Sequence, residues 1–261
     1  MKLHRIYAIV LRYIYLFRRS YDRLSDVFYW PTIDLIVWGL TSAYLKTYVP
    51  NASPFILIIV SGILLWLIVW RAQYEISVNL LEELWNKNLI NIFVSPLKFS
   101  EWIVSFLIVG IVKASVSVIF AMGVAFLLYK AHIFLYGLYL IPFFISLMLT
   151  GWWIGFIVAG IILRYGTRVQ TLAWSLVAVF APFSAIYYPI SILPNWAQAI
   201  AAFIPVSYIF EGSRQIIETG HIDISKLFMS FTLNILYLFL AFVFLKRSFK
   251  KVLRKGLVKV D

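Results

Sequence analysis

Six long apolar stretches divide the chain, and its basic residues fall almost entirely into alternate gaps between them. A helix needs about 20 mainly apolar residues to span a bilayer, and every stretch is close to that length or longer. The arm before the first stretch, the gaps after the second and fourth stretches and the tail after the sixth hold 18 of the 23 Lys and Arg residues. Because membrane proteins retain positive charge in their cytoplasmic segments, the pattern predicts six spans with both chain ends in the cytoplasm.

Composition agrees with a membrane domain and leaves little room for anything else. Apolar residues make up 63% of the chain and charged residues 13%, whereas a soluble domain is roughly half apolar and a quarter charged. We therefore expect an all-α polytopic membrane protein in which residues 1–261 form a single transmembrane domain. The net charge of +12 then reflects topology, and no nucleic-acid partner is expected.

The predicted spans cover about residues 27–48, 55–77, 101–129, 134–163, 169–188 and 224–245. In terms of segments, residues 25–188 hold spans 1–5, residues 221–245 hold span 6, and residues 246–261 form a basic cytoplasmic tail.

Residues 1–24 are predicted to form an amphipathic helix in the membrane interface. Apolar side chains recur at helical spacing on one face, while Arg5, Arg12 and Arg19 follow one another seven residues apart on the opposite face, joined by Arg23. We expect this arginine face to contact anionic lipid headgroups. The alternative is a soluble helix that packs on a partner protein.

The external segment 189–220 is too apolar for an ordinary loop, yet Pro189, Pro194 and Pro205 interrupt it. We expect two short helices that enter the outer leaflet and return, which requires protein or a water cavity to satisfy the irregular backbone. A seventh span is the alternative, but the prolines keep every apolar run below spanning length. It would also place the basic tail outside, against the charge bias.

Two ionisable side chains lie inside predicted spans, and such groups are candidates for function. Asp34 lies in span 1 and Lys113 in span 3, and the two could pair across the bundle. A buried pair that fixes the register of the helices explains them as well as a substrate contact does. Several tryptophans either form interfacial belts or line a path for a lipid or glycan: Trp30, Trp38, Trp66, Trp70, Trp152 and Trp153.

No catalytic constellation is visible in the sequence. His4, His132 and His221 are far apart, and none has the spacing of a metal ligand beside a carboxylate. The phosphate-binding pattern of ATPases is absent, because none of the 12 glycines precedes a lysine. With no cysteine, thiolate metal sites and disulfides are excluded. We expect a chain that holds no cofactor and hydrolyses no ATP by itself.

Five blocks together resemble one family, the permease subunits of type 2 ABC exporters. Span 1 reads YWPTIDLIVWG over residues 29–39, and the connection after span 2 reads LEELWNKNLINIFVSPL over residues 81–97. The turn between spans 4 and 5 reads LRYGTRVQ over residues 163–170. The external segment contributes YPISILPNW and PVSYIFEGSR, at residues 188–196 and 205–214. The blocks run through the whole chain in order, and they agree with the topology predicted from charge.

The resemblance implies partners. Two permease copies, most simply a homodimer, would form the membrane part, and two ABC ATP-binding subunits holding ATP and Mg would lie beneath it. The segment at about residues 80–95 matches the family's coupling helix, with its acidic residues early in the helix, where the helix dipole favours them. The residues that the resemblance assigns to contact with the ATP-binding subunit are Glu82, Glu83, Leu84, Trp85, Asn86, Asn88 and Leu89. A solvated loop helix is the alternative.

The external segment matches the family's re-entrant helices, which cap the outer end of the translocation path. Candidate residues of that path or its gate are Asp34, Lys113, Pro189, Pro194, Trp196, Glu211 and Arg214. Glu211 and Arg214 are three residues apart and could pair on one helical face, with or without a transport role.

The function implied is export of an amphipathic or lipid-linked substrate (a drug, lipid or glycan) across a bacterial or archaeal plasma membrane, in contact with membrane lipids. One alternative is a self-contained protein, either an ion-coupled transporter or an intramembrane enzyme that acts on lipids. Another is a scaffold that recruits an ATPase without transporting anything.

Overall fold

The computed structural model describes residues 1–46, 48, 53–131 and 133–255, so His132 and the last six residues of the predicted basic tail lie outside it. Within these ranges the chain is helical and contains no strand. The α-helices are α1 (Leu3–Arg19), α2 (Tyr21–Lys46), α3 (Ser53–Trp85), α4 (Leu89–Val94), α5 (Phe99–Tyr129), α6 (Leu140–Tyr165), α7 (Leu172–Phe180), α8 (Asn195–Ala201), α9 (Pro205–Thr219) and α10 (Ile224–Lys255). Short 3₁₀ turns cover Ile133–Tyr139, Gly166–Val169, Ala181–Phe183 and Ile190–Ile192.

Four helical segments of the described chain are long and apolar enough to cross a membrane. They are Ile56–Trp85, Phe99–Tyr129, Ile133–Val169 and Ile224–Arg254, which confirms an all-α membrane protein and matches predicted spans 2, 3, 4 and 6. Predicted span 1 falls on α2, which carries several charges, and predicted span 5 falls on the shorter apolar helix Leu172–Phe183. The count of six spans therefore stays a prediction.

Helix α3 forms the centre of the bundle and contacts α2, α5, α6, α7 and α9. Its contact with α6 is close because α6 presents glycine there. A Cβ atom on Gly151 would lie 2.4 Å from the Cβ atom of Ala72 and 2.6 Å from the carbonyl oxygen of Val69. Small residues of this kind let membrane helices approach closely, so Gly151 fixes the spacing of the two central helices.

Helices α6 and α10 are joined by a buried polar cluster. The Asn234 side chain accepts hydrogen bonds from the Thr150 hydroxyl at 2.8 Å and the Trp153 indole at 3.1 Å. Its amide nitrogen donates to the Ser146 carbonyl at 3.0 Å. Buried polar groups that lose their hydrogen-bond partners are unfavourable, so a shift of one helix along the other would be costly. The cluster therefore sets the register of the two helices.

The segments predicted to be cytoplasmic come together at one end of the molecule, which we call the basic end. The Phe93 ring of α4 lies 4.6 Å from that of Phe249 in α10, and the Arg164 guanidinium donates to the Ser248 hydroxyl at 2.8 Å. Helix α1 joins this end through the ion pair of Arg12 with Glu83 of α3. The alternation of charge along the sequence thus corresponds to a real grouping of segments in space.

The predicted arginine face of residues 1–24 is divided between two helices, because α1 ends at Arg19 and Arg23 lies in α2. Arg12 and Arg23 bind Glu83 and Glu82 at the end of α3, and Arg5 lies 3.6 Å from Glu101 at the start of α5. These three arginines therefore bind carboxylates of this chain, and contact of the arginine face with lipid headgroups stays a prediction. Arg18 and Arg19 do remain exposed.

On its other face, α1 is seated on the bundle through Ile6, Val10 and Tyr13, all buried. It contacts α5 and, less extensively, α2. It is therefore a helix packed on this chain's own bundle, and its place in the membrane interface stays a prediction.

The external segment 189–220 forms the two expected helices, α8 and α9. They are held to α10 by hydrogen bonds from the Ser230 hydroxyl to the Pro205 carbonyl at 2.8 Å and from the Tyr237 hydroxyl to the Phe203 carbonyl at 2.9 Å. Re-entry of these helices into the membrane stays a prediction.

Candidate functional site

The predicted coupling helix at about residues 80–95 is two elements separated by a turn. Helix α3 continues to Trp85, the chain turns through Asn86 and Lys87, and α4 begins at Leu89. The Asn88 N–H donates to the Glu83 carbonyl at 2.9 Å and the Lys87 N–H donates to the Leu84 carbonyl at 2.9 Å. With Lys87 at φ +50°, this is a Schellman ending. The resemblance to the family's coupling helix predicted a single helix here, and the structure corrects this to two elements.

The two acidic residues lie in the last turn of α3 and not early in a separate helix as predicted. The helix dipole disfavours carboxylates at this position, so their stability must come from partners. Glu83 is 2% exposed and is bound by Arg12 at 2.8 Å, by the Tyr13 hydroxyl at 2.5 Å and by the Asn88 amide at 2.6 Å. Burial, and then the nearby Glu83 carboxylate, raise the pKa of Tyr13, so its hydroxyl keeps the proton that it donates. Glu83 therefore holds α1 to the turn and is not free to bind a partner.

The apolar side chains of this connection are only partly exposed. Trp85 is 47% exposed, whereas Leu89 is 3% and Ile92 6% exposed and both face the chain's own core, with Leu84 partly buried. Val94, which sequence reasoning did not single out, is 80% exposed. Leu89 and Ile92 therefore pack α4 on the bundle, whereas Trp85 and Val94 remain exposed.

The exposed part of this connection meets a second loop from a distant part of the sequence. The Trp85 indole N–H donates to the Gln170 side-chain oxygen at 3.1 Å, and the Trp85 ring stacks with that of Trp174 at a centroid distance of 6.4 Å. We call the combined patch the loop surface. It consists of the exposed residues Trp85, Asn86, Lys87, Asn91, Val94, Tyr165, Arg168 and Gln170.

The predicted pairing of Asp34 with Lys113 is wrong. The Lys113 ammonium lies 2.7 Å from the Glu75 carboxylate, and the pair is buried between α5 and α3. The Asn79 amide donates to the same carboxylate at 3.3 Å, and the Phe17 ring lies 5.1 Å from the ammonium. Glu75 was missed, although it lies in predicted span 2 and the rule that selected Asp34 applies to it equally.

Asp34 opens onto a cavity of about 550 Å³ bounded by α2, α3, α5 and α7, which we call the aromatic cavity. The sequence analysis assigned six tryptophans either to interfacial belts or to the lining of a substrate path. Four of the six line this cavity. Its aromatic walls are Trp30, Trp38, Trp66, Trp70, Tyr74, Trp174 and Tyr187. The Trp38 and Tyr187 rings stack at 4.5 Å, which joins α2 to the segment after α7.

The loop surface, the buried charges and the aromatic cavity thus lie on the same helices. Comparison with known protein families identifies the family of this chain. The family model described as ABC-2 type transporter matches residues 6–217, which is most of the chain. The chain belongs to the ABC-2 type transporter family. No curated protein matches it. Membership makes this chain a permease component of an ABC transporter, and it implies partnership with an ABC ATP-binding subunit.

In this ABC-2 chain the predicted pairing of Glu211 with Arg214 is present. The two side chains lie 3.0 Å apart, the Glu211 carboxylate also accepts the Ile190 N–H at 2.9 Å, and Arg214 donates to the Ala185 carbonyl at 2.9 Å. Ala185 has φ +59°, which is uncommon for a non-glycine residue. The pair therefore holds an irregular turn against α9, while its role in gating stays a prediction.

The remaining gate candidates flank this turn. Pro189 directly precedes the 3₁₀ turn Ile190–Ile192, and Pro194 directly precedes α8. Trp196 is 64% exposed, and its ring lies 6.0 Å from that of Phe183. Pro189, Pro194 and Trp196 are not among the residues that line the cavity beside Asp34.

Replacing Arg214 by methionine is expected to destabilise the solubilised chain by about 3 kcal/mol. The variant leaves Glu211 and the Ala185 carbonyl without their cation, and Arg214 itself is only 7% exposed. Thermal unfolding in detergent measures the effect, with Arg18→Met at an exposed position as the matched control. Equal stability of the two variants would show that the pair does not hold the turn.

Proposed function

We propose that this chain is the membrane-spanning permease subunit of an ATP-driven exporter. It moves an amphipathic or lipid-linked substrate out of the cytoplasm or between leaflets, with ATP and Mg bound and hydrolysed by a separate subunit. The observation that carries the proposal, beyond the family itself, is the loop surface. Two connections about 85 residues apart meet through Trp85 and Gln170 and leave an exposed patch at the basic end.

The proposal includes six spans, with α2 as span 1. Its 26 residues give a helix about 39 Å long, enough to cross a bilayer. The charges near its start are matched inside the protein, since Arg23 binds Glu82 and Asp26 lies 2.9 Å from Arg71. Span 5 then begins with α7 and includes the irregular turns that follow it.

The ion pairs at the end of α3 suggest how ATP binding reaches the cavity. The loop surface begins directly after Glu82 and Glu83. Glu82 binds Arg23 of α2, and Glu83 binds Arg12 of α1. A displacement of the loops by a closing ATP-binding dimer therefore pulls on α2, whose Trp30, Asp34 and Trp38 line the aromatic cavity. ATP supplies energy as a difference in affinity for the two arrangements.

A second copy of the chain completes the proposed transporter. The side of α2 that faces away from α3 exposes a row of apolar residues that includes Ile36, Val37 and Leu40. We propose that a homodimer buries this row.

Purification from the native membrane tests the proposal. The tagged chain should co-purify with an ABC ATP-binding protein at equal stoichiometry, and the complex should show vanadate-sensitive ATPase activity. A chain that purifies alone and hydrolyses nothing would overturn the proposal. An ion-coupled carrier would then be the better description, whereas a complex that hydrolyses ATP but moves no substrate would be a scaffold.

The absence of native cysteine permits a direct test of topology. Single cysteines at Asn91 and Arg168 are expected to react with a membrane-impermeant maleimide only after the cells are permeabilised. A cysteine at Thr219, an exposed position at the opposite end, should react in intact cells. Labelling of all three positions from the same side would contradict six spans with cytoplasmic ends.

A further inference from the structure

We propose that the aromatic cavity is a binding site for organic cations, with Asp34 as the counter-ion. The ligand class is an amphipathic molecule that carries a positive charge on or beside aromatic rings. This inference rests on the proposed function, because it names the substrate class of the same permease.

The charges in the cavity leave one accessible anion. Its charged lining residues are Asp26, Asp34 and Arg71. Arg71 is 1% exposed, and its guanidinium binds both the Asp26 carboxylate at 2.9 Å and the Asp26 carbonyl oxygen. Those two charges cancel within the wall. Among the described ion pairs none includes Asp34, whose side chain is exposed to the cavity.

The position of Asp34 makes a counter-ion valuable. It lies 13 residues after the start of α2 at Tyr21, about 20 Å along a helix about 39 Å long. An uncompensated carboxylate near the middle of a span is unfavourable in a low-dielectric surrounding. Electrostatic attraction therefore strengthens the binding of a cation there, and repulsion weakens the binding of an anion.

The walls are suited to the same ligand. Trp30, Trp38, Trp66 and Trp70 line the cavity beside Asp34, and the Trp38–Tyr187 stack at 4.5 Å forms one side. The faces of tryptophan and tyrosine attract cations through the ring quadrupole, and they also offer apolar area to aromatic groups. A volume of about 550 Å³ is in the range of sites for drug-sized molecules.

These observations decide between substrate classes that the sequence left open. A lipid-linked glycan or a phospholipid carries a phosphate, which the Asp34 carboxylate would repel. The cation in the cavity lining, Arg71, is already bound to Asp26 and does not offset this repulsion. A cationic drug-like molecule meets a carboxylate and four indole rings. The cavity therefore favours the cation over the phosphate-bearing lipid.

The test uses two probes of nearly the same shape and opposite charge, tetraphenylphosphonium and tetraphenylborate. Binding is measured by equilibrium dialysis on the purified complex of this chain with its ATP-binding partner. Tetraphenylphosphonium should bind the wild type more tightly than tetraphenylborate does. Asp34→Asn should weaken the binding of tetraphenylphosphonium by about tenfold and leave the binding of tetraphenylborate unchanged or tighter. Asp34→Glu, which keeps the charge, should retain most of the affinity.

Asp223→Asn is the matched control, because it makes the same chemical change at an exposed position outside the cavity. It should bind both probes as the wild type does. Equal binding of the two probes to the wild type, or wild-type affinity for tetraphenylphosphonium in Asp34→Asn, would overturn the inference.

The result is separable from the fate of the exporter proposal. A complex that contains the ATP-binding subunit and hydrolyses ATP, yet binds no tetraphenylphosphonium, refutes the cation site and keeps the exporter. A chain without any ATP-binding partner whose tetraphenylphosphonium binding still depends on Asp34 keeps the site and refutes the exporter.

Discussion

Replacing Lys113 by methionine is expected to lower the free energy of unfolding by about 3–5 kcal/mol. The variant leaves the Glu75 carboxylate, 2% exposed, with only the Asn79 amide as a partner. A buried charge without its counter-ion is far less favourable than a buried pair or no charge at all. Thermal unfolding of the detergent-solubilised chain gives the size of the effect.

The double variant Lys113→Met with Glu75→Gln separates the ion pair from side-chain packing. Because it removes both charges and keeps both shapes, more than half of the lost stability should return. Lys250→Met, at an exposed position of α10, is the control for the loss of a lysine. A single variant as stable as that control would refute the importance of the pair. A double variant no better than the single one would assign the loss to packing.

Replacing Trp85 by aspartate is expected to reduce coupling between ATP hydrolysis and transport by more than tenfold while the chain still folds. At 47% exposure the side chain lies at the surface, where it donates a hydrogen bond to Gln170 and stacks with Trp174. A carboxylate there removes the large apolar group on which a docking partner would rest, and such aromatic groups dominate interface energies. The measurement is substrate-stimulated ATPase together with ATP-dependent uptake into inverted vesicles.

Two further variants show whether the loop surface itself is responsible. Val94→Asp changes a residue that is 80% exposed and should produce the same loss without disturbing the contact with Gln170. His221→Asp introduces the same charge at the exposed opposite end and should leave coupling unchanged. Coupling at the wild-type level in both Trp85→Asp and Val94→Asp would show that the loop surface does not dock the ATP-binding subunit. Leu84 is unsuitable for this test, because it packs partly on the core.

The parts of the fold that follow from local pattern could be predicted from sequence. Long apolar runs gave the four strongly apolar spans, and the alternation of basic gaps gave the grouping of segments at the basic end. Both signals are properties of one segment at a time, so no knowledge of neighbours is needed. The Glu211–Arg214 pair was equally accessible because its members are one helical turn apart.

The parts that depend on which helices are neighbours could not be predicted. The spacing of Arg5, Arg12, Arg19 and Arg23 predicts a face but not its partners, and the structure pairs all of them except Arg19 with carboxylates on other helices. Lys113 likewise had two candidate partners inside predicted spans, Asp34 and Glu75, and the sequence does not show that it faces Glu75. The turn at residues 86–88 was hidden because Lys87 adopts the left-handed conformation usually marked by glycine.

Photo-crosslinking tests directly whether the loop surface docks an ATP-binding subunit. A benzoylphenylalanine is introduced singly at Val94, at Arg168 and at Thr219, and whole membranes are irradiated before purification. We expect covalent adducts with an ABC ATP-binding protein at Val94 and Arg168 and none at Thr219. Absence of such an adduct at both basic-end positions, or an equal yield at Thr219, would contradict this docking.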